Sequence, residues 1–141
     1  MENLQLNQVW WSLRITYGLL AFLAGLDKFL NLLTDWDHYL SPVVTSIVPL
    51  SASTLMHLVG VVEMLVGILI LTKWTRLGAY IASIWLLCIA FNLLLTGTYF
   101  DVAVRDVALA VGAWSLARLS EAHVPVPSGA RPGITPNPAH I

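Results

Sequence analysis

Four stretches of almost unbroken apolar sequence, separated by short polar breaks, organise this 141-residue chain. They cover about residues 9–33, 54–72, 76–96 and 102–119. Each is long enough to cross the hydrocarbon core of a bilayer as a helix, which takes roughly 20 residues at 1.5 Å each. None alternates apolar and polar positions as a membrane strand does. The pattern predicts an all-α fold: a polytopic membrane four-helix bundle over residues 1–123, followed by a tail at 124–141. That tail carries Pro125, Pro127, Pro132, Pro136 and Pro138 with Gly129 and Gly133. Such a composition excludes a helix and predicts an extended segment.

The breaks differ in kind. Lys73-Trp74-Thr75-Arg76 is a tight basic turn, and Gly97 to Asp101 is a short polar one. Between the first two stretches lies a longer segment, residues 34–53, with Asp35, Trp36, Asp37, His38 and Tyr39 followed by two Pro-led apolar runs. It reads either as a short re-entrant or amphipathic piece at the interface, or as a loop packed on the bundle.

Composition supports the membrane reading. Charged residues make up 11% and hydrophobic ones 57%, with mean hydropathy +0.77, whereas a soluble domain carries about 25% charged residues. Seven Lys and Arg without a basic run give no footprint for nucleic acid. One cysteine, Cys88, excludes an internal disulfide or a Cys-x-x-Cys pair. The first stretch lacks a basic leader and is too long for a signal core, so no cleavable signal peptide is expected. Four spans put both ends of the bundle on the side of the Lys73–Arg76 turn, together with Arg14, Arg118 and Arg131. Lys28 and Arg105 lie on the other side. The excess of basic residues predicts cytoplasmic termini and an inner-membrane, multi-pass protein.

Against this apolar background Glu63 stands out, near the middle of the second stretch. A carboxylate at that depth costs about 2.5–3.5 kcal/mol on insertion scales, and such residues usually face the bundle interior. Other polar groups approach from the outer side: Asp27, Lys28 and Asn31 at the end of the first stretch, His57 in the second, Asn92 in the third, and Arg105 with Asp106 opening the fourth. Glu63 lies about 9 Å below His57 along the helix. Unpaired charges in lipid seek one another, so a polar pocket in the outer half is expected. Arg105 is placed to pair with Asp27 or Glu63, and Lys28 to pair nearby or to snorkel outward. Without a cation partner Glu63 would be a neutral proton donor. The candidate catalytic residue is therefore Glu63, and the candidate ligand-binding residues are Asp27, Lys28, His57, Asn92, Arg105 and Asp106. No metal or haem site is expected, because His38 and His123 fall in loop and tail. Gly60 and Gly67 flank Glu63 and would allow close helix packing.

Three sets of residues resemble the DoxX family of small four-helix membrane proteins. They are Leu13-Arg14, Gly18, Phe22, Gly25 and Lys28 in the first stretch, Gly60-x-x-Glu63-x-x-x-Gly67 in the second, and Arg105-Asp106 opening the fourth. The resemblance implies a membrane subunit linked to respiratory or sulfur redox chemistry. Some members are described as a subunit of thiosulfate:quinone oxidoreductase. It makes a quinone the expected cofactor, and other membrane or periplasmic subunits, besides the lipid bilayer, the expected partners. The alternative is a non-catalytic accessory subunit of a larger membrane complex. A transporter ranks last, since the chain shows no internal repeat or broken central helix.

Overall fold

The computed structural model describes residues 2–123; the Pro-rich segment at 124–141 lies outside the described residues. Four long helices dominate: α1 (Glu2–Leu30), α3 (Ala52–Leu71), α4 (Thr75–Thr96) and α5 (Phe100–Ala122). Between α1 and α3 sit a 3-10 turn (Trp36–Tyr39) and the short α2 (Pro42–Ile47). The fold is all-helical, as the sequence pattern predicts. Helix α1 starts earlier than hydropathy suggests, because the polar residues before Val9 contain no helix breaker.

Local chemistry explains the ends. Asn31 takes a left-handed φ of 51°, which stops α1. Ser41 caps α2 by accepting from the Val44 N–H, with Pro42 as the first helical residue. Ser51 caps α3 in the same way through the Thr54 N–H. At the end of α4, Gly97 adopts φ 73°, the conformation in which a missing Cβ matters most.

Interhelical contacts give the topology. In α1 and α3, Gly25 meets Gly60 and Gly18 meets Gly67. A Cβ on Gly25 would lie 2.5 Å from the Gly60 carbonyl oxygen, and one on Gly67 would lie 2.7 Å from that of Gly18. As one number rises the other falls, so the helices are antiparallel, and the glycines let their backbones touch. Helices α4 and α5 pack through Ala79, Ala82, Ala113 and Ala117, all buried. The Ser83 hydroxyl donates across them to the Ala110 carbonyl at 2.8 Å. Trp10 near the start of α1 donates to Ser120 near the end of α5 at 2.8 Å. Arg14 donates to the carbonyls of Ile70, Leu71 and Thr72, which close α3. One end of the bundle thus holds the start of α1, the α3–α4 turn and the end of α5. The other holds the 3-10 turn, α2 and the α4–α5 turn.

Alanines fill much of the interior beside Trp10, Tyr17, Ile70, Leu93 and Leu116, while many leucines and aromatics point out. Leu23, Leu65, Ile84, Phe91, Val104 and Trp114 are all exposed. An aqueous protein would not leave this much apolar surface uncovered, and a bilayer covers it. Three helical segments, Asn3–Leu30, Ala52–Leu71 and Thr75–Thr96, are long and apolar enough to cross a membrane. Helix α5 is as long but carries Asp101, Arg105, Asp106, Arg118 and Glu121.

Candidate functional site

The tight α1–α3 and α4–α5 pairs leave a cavity between them, roofed by the 3-10 turn and α2. Its volume is about 690 Å³, inside the range of 300–1,000 Å³ usual for small-molecule sites. Leu20, Met56, Val59, Leu86, Ile89 and Leu109 supply much of its apolar wall. Lys28, Glu63, Trp85, Asn92, Arg105 and Asp106 also line it. All five α-helices and the 3-10 turn contribute, so the cavity exists only in the assembled bundle.

At its base Lys28 Nζ lies 2.6 Å from Glu63 Oε2, with both side chains less than a tenth exposed. The reach follows from the glycine seam. A Cβ built on Gly60 would sit 3.1 Å from Lys28 Cβ, so the lysine stem lies across the space Gly60 leaves open and meets Glu63 one turn further along α3. Lys28 therefore does not snorkel outward, and Glu63 pairs with Lys28 instead of Arg105. The lysine also sits under the Trp36 ring, 4.0 Å from its centroid, a cation–π contact strengthened by desolvation.

Asp106 is buried, 5% exposed, yet its contact with a cation is weak. Arg105 Nη2 reaches its carboxylate only at 3.5 Å, and that guanidinium is largely exposed. Trp85 Nε1 is buried and has no hydrogen-bond partner. It lies near enough to Glu63 to act on its carboxylate, but outside hydrogen-bond geometry. A buried unpaired N–H costs about 1–3 kcal/mol, so a ligand oxygen beside it would be favoured.

The remaining sequence candidates hold the frame. Asp27 accepts the Trp36 indole N–H at 2.8 Å and the backbone N–H groups of Leu32 and Leu33 at 3.0 and 3.1 Å. It thereby anchors the plate above Lys28 and is not among the lining residues. His57 stacks on Phe29 at 4.7 Å between ring centroids, also away from the cavity. Asn92 lines the cavity, but its amide is engaged by the roof. Its Oδ1 accepts the Ser41 N–H at 3.0 Å and its Nδ2 donates to the Tyr39 carbonyl at 2.7 Å. Asn92→Ala should release that roof. Hydrogen exchange across residues 36–48 should rise while the long helices keep their protection, at a stability cost of about 1–3 kcal/mol. Unchanged exchange there would refute the clamp.

Trp36 and Trp85 were not candidates in the sequence. Trp36, beside a membrane helix end, reads as an ordinary anchor, and Trp85, in the middle of α4, has no spacing that shows whether it turns inward. Among the described residues no group of three His, Cys, Asp or Glu is arranged to hold a metal.

The chain matches the DoxX family over residues 9–95, which is more than half of its length. It belongs to the DoxX family. The match spans most of α1, all of α3 and nearly all of α4, and so includes Lys28 and Glu63; the Arg105-Asp106 opening of α5 lies beyond it. No curated protein and no solved structure matches the chain. The family membership and the apolar helices together make it a membrane protein.

Proposed function

We propose that this DoxX-family chain is the membrane subunit of a quinone-linked redox system, and that the cavity holds the quinone ring. The observation that carries this reading is the pairing of a mostly apolar cavity with a compact polar base. Lys28 and Trp85 can donate to the oxygens of a ring headgroup, Glu63 and Asp106 can accept from its hydroxyls, and the apolar wall suits its tail. Glu63, bonded to Lys28, would be the group that exchanges a proton with the ring. A partner subunit would supply or take the electrons.

The chain crosses the inner membrane four times in this proposal; of the α5 charges Asp106 is buried inside the bundle, while Asp101, Arg105 and Arg118 are exposed towards the helix ends. Arg14, Lys73, Arg76 and Arg118 cluster at the end that holds the start of α1. The cation count at the other end falls further, since Lys28 is buried and only Arg105 is exposed. By the positive-inside rule the termini are cytoplasmic and the roofed end faces outward.

The ion pair also favours a second reading. A Lys28–Glu63 bond that ties α1 to α3 suits a non-catalytic accessory subunit, whose cavity would take only a lipid chain. Binding of a decyl-benzoquinone to the full chain in nanodiscs, corrected for partition into empty nanodiscs, separates the two. Saturable binding that Lys28→Met/Glu63→Leu abolishes is the expected result. Lack of saturable binding would discard the quinone reading and leave the accessory one.

A further inference from the structure

Hydrogen-bond capacity at the cavity base indicates which oxidation state the ligand has when it binds, an inference that rests on the ring reading above. Four charged groups face this region: Lys28 from α1, Glu63 from α3, and Arg105 and Asp106 from α5. Two are cations and two are carboxylates, so the wall is neutral with all four ionised. Carboxylates are then acceptors only, with up to four lone-pair sites each. One oxygen of Glu63 is engaged by Lys28. Asp106 receives one long contact from Arg105 at 3.5 Å, and among the described residues nothing else donates to it.

The base therefore offers unused acceptors beside one unused buried donor, the Trp85 N–H. A benzoquinone presents carbonyl oxygens, which only accept. It would satisfy Trp85 and add no donor to the long Arg105 contact of Asp106. A hydroquinone presents hydroxyls, each of which donates and accepts. One hydroxyl can donate to Asp106 or the free Glu63 oxygen and accept from Trp85 or Lys28. We infer that the cavity prefers the reduced, hydroxyl-bearing ring, with Asp106 accepting its O–H. Asp106 thereby becomes a binding residue that sets this preference. The inference concerns binding alone and requires no electron transfer.

Three probes test it: a decyl-hydroquinone kept reduced under anaerobic conditions, its bis-methyl ether, and the corresponding decyl-quinone. The ether keeps ring, tail and acceptor oxygens but cannot donate. Binding is measured on the full chain in nanodiscs against empty nanodiscs. The hydroquinone should bind about tenfold tighter than either of the others, because a site built to receive a hydroxyl proton discriminates against ligands that lack one. Asp106→Asn should remove most of that preference. Trp85→Phe should weaken all three probes by a similar factor and leave the preference in place, which guards against a merely unfolded Asp106 variant. Equal or tighter binding of the quinone or the ether to the parent chain overturns this inference and leaves the ring reading standing. If none of the three binds, both fall.

Discussion

Replacing Lys28 with Met is expected to destabilise the protein by about 3–5 kcal/mol, because it strands the Glu63 carboxylate in the interior. The bond is short and nearly dry, 2.6 Å with both side chains under a tenth exposed. Glu63→Leu should cost a similar amount by stranding the lysine. Glu63→Gln should cost less, since the amide oxygen can still accept from Lys28 Nζ. The informative variant is the double replacement, Lys28→Met/Glu63→Leu. Removing both charges should recover much of the lost stability, since an apolar pair of similar volume is often as stable as a buried ion pair. Thermal unfolding of the four proteins in one detergent forms a double-mutant cycle that gives the coupling directly. A double variant as unstable as the two singles combined would show that the charges do not act as a pair.

Gly25→Ala and Gly60→Ala come next in expected size. Each new methyl would meet backbone, the Gly60 carbonyl at 2.5 Å in one case and the Gly25 carbonyl at 2.6 Å in the other. Backbone cannot rotate away as a side chain can, so α1 and α3 must separate. Overpacking of this kind costs about 1–3 kcal/mol, and here it also draws Lys28 away from Glu63. Gly25→Val should be worse than Gly25→Ala. Leu23→Ala makes a fair control, being a larger chemical change at an exposed position on the same helix. Melting temperatures in detergent should fall for both glycine variants and barely move for the control. A reverse ranking would mean that the seam is looser than the packed structure implies.

Hydropathy alone located the four long helices, because a bilayer demands a minimum apolar length regardless of tertiary detail. Glu63 was visible for the same reason, as a charge without a local excuse. The identity of its partner was not visible. Arg105 and Lys28 both lie on the outer side, and depth alone does not choose between them. Register chooses, and it was partly written in the glycines. Gly18 and Gly25 are spaced like Gly60 and Gly67, so an antiparallel match of the two pairs places Lys28 over Gly60 and within reach of Glu63. The role of Asn92 was hidden for a different reason. An amide in a membrane helix reads equally as a ligand contact or as interhelical glue, and only the backbone of the roof shows that it holds Tyr39 and Ser41. For the segment at 34–53 the structure shows a 3-10 turn and a short helix packed over the bundle. Apolar content alone could not separate that from a re-entrant piece.

The ion pair between α1 and α3 also bears on how the chain is made. Lys28 leaves the ribosome 35 residues before Glu63. A lone charge at the middle of a helix raises the cost of transfer into lipid by about 2.5–3.5 kcal/mol. Helix α3, with Glu63 at its middle, therefore has no comfortable resting state in lipid without α1, whose last turn carries Lys28. Released together as a hairpin, they present a neutral bonded pair and a sealed glycine seam. The hairpin is thus the natural unit of insertion, and the intervening roof segment goes with it. Biosynthesis would then complete one wall and the lid of the cavity before α4 and α5 close the other side.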